Sequence, residues 1–292
     1  MGQILRVGTA QAYTTLASAV TALGNINGTG ANEILIDAGY AINEDFSATG
    51  VNSGINPADT LSISGDGGYF IFTPQSASIT LNSNGVSFKN VTILSSLSAP
   101  VISAQKDGTG VEFFEIIGTG GGYALLGSNG KLNFARDGVI SGTMNYAARY
   151  LDEVSRVTAY GTNYGIRDGG TITDCLTFSI LYSTDYTSNT SLVNCASEDG
   201  SGSAGLTNTV GADTFVDAAG GDFRLKPTSN LVGAGVNGGN IGYDQVTGSA
   251  PSSSVASIAI TEAPDTISIS AETSNPSAVS ITINEQADGV LI

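Results

Sequence analysis

Asp152 and Glu153 stand 22 and 21 residues ahead of Asp174, and Asp168 and Asp185 lie close by in the sequence. Two carboxylates held ~5–10 Å apart across a glycosidic bond can act as acid and as base or nucleophile. Asp152, Glu153 and Asp174 are therefore the candidate catalytic residues, and a polysaccharide depolymerase (hydrolase or lyase) is the enzymatic reading. The bland alternative is that they are solvated outer-face charges or corner residues, which 26 acids in 292 residues bring together by chance. A Ca²⁺-dependent lyase would need a basic side chain beside acid-bound metal, and Arg149, Arg156 and Arg167 do lie near Asp152 and Asp168. A polyuronate would, however, approach a strongly acidic molecule. The sequence has no His, which excludes His-dependent triads, His acid–base schemes and His metal sites. Without a His to activate them, Cys175 and Cys195 read as buried thiols rather than nucleophiles. Gly118–Gly122 lacks a following Lys and reads as a turn, not a phosphate cradle. Tyr146, Tyr150, Tyr160, Tyr164, Tyr182 and Tyr186 cluster in the middle third, either to pack on sugars or proteins or to stack on one another. No cofactor and no metal is expected.

Composition narrows the partners. Ten basic against 26 acidic residues give a net charge of −16, so neither nucleic acid nor anionic membrane suits this surface. Trp is absent, which removes the commonest sugar-stacking side chain. Charged residues make up only 12% of the chain, about half the usual share. With 39 Gly and 7 Pro, that composition favours many short strands joined by tight turns.

A short pattern recurs: apolar, any, apolar, then a polar anchor followed by apolar again. It appears at Val86–Ile93, Val111–Ile116, more loosely at Leu132–Val139, and again at Leu151–Val157, Ile172–Cys175 and Leu192–Cys195. With Asn90, Glu115, Arg136, Arg156, Asp174 and Asn194 as anchors, the spacings are 25, 21, 20, 18 and 20. The third copy is weakest, because Asp137 follows its anchor where an apolar residue belongs. Short strands at this period imply stacked coils, each completing the core of the next. Cys175 and Cys195 would then lie one above the other. A sandwich would instead place hairpins at Asn27-Gly28, Asn84-Gly85, Asn129-Gly130 and Asn237-Gly238, yet two of these immediately precede a repeat, as corners would.

Residues 1–75 differ. Leu16, Ala19, Val20 and Leu23 have helical spacing, with Thr14 or Thr15 as N-cap and Gly24 as stop. One short helix would cover the open apolar end of a coil stack. Tyr13-Thr14-Thr15-Leu16…Ala19-Val20 and Ile34-Leu35-Ile36-Asp37-Ala38-Gly39-Tyr40 resemble the opening of right-handed parallel β-helix proteins of the pectin lyase-like superfamily. Thr214–Pro227, followed by Gly239–Asp244, resembles the closing segment of bacterial members. The resemblance implies an all-β right-handed parallel β-helix (solenoid) over 1–248, with 1–75 as cap and first coils and 205–248 as closing segment. It is nearly silent on activity, since that superfamily holds lyases, hydrolases, esterases and non-enzymatic adhesins. None of the six Gln lies in the esterase pattern.

Residues 249–256 form a Ser-rich linker, and 257–292 contain two copies of one unit offset by 23 residues. Each copy, 257–269 and 280–292, alternates apolar residues around a Glu-x-x-Asp turn and reads as a β-hairpin. A lone hairpin is marginal in water, so Ile258, Ile260, Ile267, Ile269, Ile281, Ile283, Val290, Leu291 and Ile292 are the expected assembly or docking residues. The units resemble the Thr-Glu-Ala-x-Asp hairpin repeats of tailed-bacteriophage virion proteins. That resemblance implies a structural or adhesive virion surface protein: a capsid decoration, head fibre or tail spike. Its partners would be sister subunits in a homo-oligomer (a trimer), other capsid or tail proteins, and host surface glycan. No Sec-type signal opens the sequence, so synthesis in the host cytoplasm and display on the virion is the expected localisation; a secreted, extracellular adhesin is the alternative.

Overall fold

The structure, a computed structural model, describes residues 2–52, 58–178, 180, 185–206, 210–211 and 213–243. The chain divides into two units, Met1–Ser253 and Ser254–Ile292. The second lies outside the described residues, and with it all nine expected assembly residues, from Ile258 to Ile292.

The first unit is all-β with mostly parallel strands, consistent with a β-helix-like class. From Ile79 onward the chain alternates between two sheets. Strands Val86–Ser95, Gly110–Gly118, Phe134–Gly142 and Glu153–Tyr160 are consecutive neighbours in the large sheet. Between them Ile102–Ala104, Tyr123–Leu126, Tyr146–Arg149 and Tyr164–Arg167 add one by one to a six-stranded second sheet. Every pairing in these two sheets is parallel, which requires the long crossovers that the 20-residue period supplies.

Equivalent positions stack like on like. Leu5, Ile34, Ile63, Phe88, Val111, Ala135, Val154, Ile172 and Leu192 form one register column across the large sheet. These meet Leu81, Ile102, Leu125, Ala148 and Ile166 of the second sheet in the main core. Strands flanking Cys175 pair with those flanking Cys195, and Ala196 N donates to Cys175 O at 2.9 Å, so the two buried cysteines lie at neighbouring register positions of the large sheet.

The recurring anchor is a backbone feature. Asn90, Phe113, Asp137, Arg156, Asp174 and Asn194 share one register column, and each has a left-handed φ of 49–56°. Asn and Asp enter that region most readily, because a short polar side chain can bond locally. Two expected anchors are therefore corrected: Phe113 takes the place given to Glu115, and Asp137 that given to Arg136. Gly138 then occupies the apolar position of the weak third copy. A Cβ there would lie 2.3 Å from the Phe114 ring, which fills the space from the preceding coil.

Helix Leu16–Leu23 has Thr15 as N-cap and Gly24 as C-cap. Glu44 Oε1 accepts from Leu16 N and Ala17 N at 2.8 and 3.1 Å, satisfying two more of the first-turn donors. Leu16, Ala19 and Leu23 are buried, and the helix contacts Ile4–Val7, the terminal strand of the large sheet. Each buried Leu contributes ~1.5–3 kcal/mol by leaving water.

Gly118 closes the strand Gly110–Gly118, and residues 119–122 form the bend into the strand Tyr123–Leu126. Gly120 and Gly122 back onto the carbonyls of Leu97 and Ala99 in the preceding coil, while Gly121 faces open space. Farther on, strands Phe215–Asp217 and Asp222–Leu225 form an antiparallel hairpin. Phe215, Phe223, Leu231, Ile241 and Tyr243 build a second core against Val139, Leu176 and Ala196 of the large sheet.

Candidate functional site

The expected carboxylates are placed on different structural duties. Asp174 is 4% exposed, and its Oδ1 and Oδ2 accept from Val236 N at 3.0 and 3.1 Å. Its carbonyl accepts from Gly242 N, so Asp174 ties residues 236–242 to the large sheet. Glu153 forms a two-pronged ion pair with Arg136, both N–O distances being 2.7 Å, and those bonds hold it below the ordinary carboxylate range. Asp152 is exposed, and its backbone carbonyl accepts from Thr171 N at 2.8 Å. Asp185 is 1% exposed, its backbone N donating to Asp199 and its Oδ2 accepting from Glu198 N. Burial, and then the charge of Asp199, push its carboxyl up to about 7. Burial likewise pushes the Cys175 thiol well above its ordinary value, which leaves little thiolate for chemistry.

Glu153 belongs to a ladder of alternating charge on the outer face of the large sheet. Lys89 reaches Glu112 at 3.0 Å, Glu112 reaches Arg136 at 3.1 Å, and Arg136 reaches Glu153. Arg156 pairs with Asp137 in the left-handed column. Parallel strands set ~4.8 Å apart bring such partners within reach on every coil.

The second sheet carries a different outer face. Tyr123, Tyr146 and Tyr164 stack at equivalent positions, with centroids 4.8 and 4.6 Å apart and ring planes within 7° and 16°. Arg149 and Arg167 follow three residues after Tyr146 and Tyr164 and are themselves in register. Arg149 lies 5.2 Å from the Tyr146 centroid and 4.4 Å from that of Tyr150; Arg167 lies 5.9 Å from both Tyr146 and Tyr164. Arg149 Nε donates to Asp168 Oδ2 at 2.8 Å, and its Nη1 reaches the Tyr123 hydroxyl at 3.5 Å. Arg167 Nε is 3.9 Å from the same oxygen, and this buried donor has no hydrogen-bond partner among the described residues.

Of the two readings of the clustered tyrosines, Tyr146 and Tyr164 follow the stacked one. Tyr160 instead packs on Phe178 and Phe223, and Tyr186 is buried with its hydroxyl on Ala196 O; Tyr182 lies outside the described residues. Tyr123 escapes a reading by density alone. The repeated Tyr-x-x-Arg of Tyr146–Arg149 and Tyr164–Arg167, one 18-residue coil apart, is the signal that marks the ladder.

Among the described residues no group of three or more acidic or thiol side chains is arranged to hold a metal ion, and no helix is long and apolar enough to cross a membrane. No family profile matches the sequence, and no curated protein is significantly similar to it.

Proposed function

We propose that the alternating sheets wind as a right-handed parallel β-helix of the pectin lyase-like kind, and that the protein is a structural and adhesive component of a virus particle. Capsid decoration, head fibre and tail spike all fit this role. The observation that carries the reading is the employment of the candidate acids: Asp174 holds the closing segment and Glu153 holds Arg136, both within a continuous ladder of coils. Such a scaffold is suited to bearing load and presenting a face. Residues 257–292, with alternating isoleucines from Ile258 to Ile283 and the apolar end Val290-Leu291-Ile292, would join sister subunits into a trimer or dock on other virion proteins. Removing 251–292 is expected to lower the oligomeric state in analytical ultracentrifugation and to abolish incorporation into particles. Unchanged assembly and incorporation would remove the tail from that role. The enzymatic reading is tested separately, by incubating the full chain with host capsular or cell-wall glycans. Release of defined oligosaccharides, lost on Asp174→Asn or Glu153→Gln, would overturn the structural reading.

A further inference from the structure

We infer that Arg149, Arg167 and the Tyr123–Tyr146–Tyr164 stack form a subsite for a single carboxylate carried on an otherwise neutral glycan. This rests on the adhesive reading and adds to it the place of contact and the charge class of the ligand.

Charge balance points here first. Of the eight other cations, Lys106 is exposed to solvent, and the remaining seven each have a carboxylate within ion-pairing distance that is not shared in this way. Arg149 and Arg167 divide the one carboxylate of Asp168, whose bond is to Arg149. On this partly buried face one positive charge is left over, although the net charge of the molecule is −16. A buried guanidinium N–H without an acceptor costs free energy, and Arg167 Nε is such a donor. Its rigid fork, steadied by the Tyr146 and Tyr164 rings, matches a carboxylate.

The stack defines the remainder of the ligand. Ring faces pressed together at 4.6–4.8 Å leave Tyr146 no free face for a sugar, so its edge and hydroxyl are what it offers. Tyr146 and Tyr164 are partly exposed, and their hydroxyls suit the hydroxyls of a neutral sugar flanking the acid. A dense polyanion is disfavoured, because its further charges would meet the acidic remainder of the surface within ~8 Å, the screening length at physiological salt.

Titration of the full chain with sialyllactose, lactose and polygalacturonate tests this. Sialyllactose is expected to bind at least tenfold more tightly than lactose, and polygalacturonate more weakly per carboxylate. Arg167→Gln should remove that preference, whereas Asp168→Asn, which keeps a residue tolerant of the φ of 51° and frees both guanidiniums, should tighten sialyllactose several-fold. A misfolded variant cannot gain affinity, so Asp168→Asn guards against loss by unfolding. Equal binding of sialyllactose and lactose, indifference to both substitutions, or tighter binding of polygalacturonate would each overturn the subsite. If the protein binds neither sugar yet adheres to host cells, the subsite falls and the adhesive reading stands; if it also fails to adhere, both fall.

Discussion

On the large sheet Glu112 lies between Lys89 and Arg136, and Arg136 between Glu112 and Glu153, whereas on the second sheet Arg149 and Arg167 share Asp168 alone. Strands of the two sheets alternate along the chain, so both faces repeat with one period and the contrast lies in their side chains. It comes from which residue each coil places at one outward position. On the large sheet, Lys89, Glu112 and Arg136 alternate in charge at one register position, and Glu153, two residues off that column, pairs with Arg136. On the second, successive strands offer like residues, Tyr on Tyr and Arg on Arg, and the like charges are tolerated because aromatic rings and one acid lie between them. Repetition of opposites closes a surface to outside partners, and repetition of likes leaves it open.

That contrast presumes one shared interior, and the largest expected effect tests it. Phe114 is fully buried beneath Gly138, and Phe114→Ala should cost ~3–5 kcal/mol in urea unfolding. The tyrosine near-UV signal should be lost in the same transition as backbone structure; separate transitions would mean that the two faces belong to independent layers. Asp174→Ala should cost ~1–3 kcal/mol for the lost acceptor, with ~1–2 kcal/mol more for placing Ala at φ 52°. Proteolysis should then cut first within 231–243 while the Tyr stack persists, whereas Asp174→Asn should be milder.

A pH titration sharpens the comparison next. Native Asp185 keeps its proton to about 7, whereas an unfolded Asp loses it near ~4. The native state then holds the extra proton, so this stabilisation is complete below pH ~4, declines as pH rises through 7, and changes no further above it. Asp185→Asn should flatten that slope in melts between pH 4 and 8; an unaltered slope would assign it to other groups. The smallest effect belongs to the charge ladder. Glu112→Gln should cost under ~1 kcal/mol, because partly exposed pairs are screened and entropically costly. A loss exceeding that of Asp174→Ala would show that the saturated face holds the coils together.

The coil period and the capped first helix are legible in the sequence because each is a local pattern: Leu16, Ala19 and Leu23 at helical spacing, and apolar residues alternating before each anchor. The anchors themselves are less so. The left-handed position is a backbone conformation, and Phe113 occupies it without the short polar side chain that announces Asn90 or Asp174. Gly138 looks like a defect until the Phe114 ring of the preceding coil is seen to fill its place. The acids were visible as residue types, but the bond from Val236 to Asp174 spans 62 residues, and no spacing rule foretells it. The Arg–Tyr face hides similarly, since Tyr123, Tyr146 and Tyr164 meet only after two sheets have alternated through two full coils.

Gly121 faces open space between two glycines pinned to the preceding coil. A peptide spliced in at that point would leave both sheets in register and stand out sideways from a clamped base. Grafted antigens or affinity tags could be displayed there at the same point on every copy of the protein, with the strand pairings on either side left as they are.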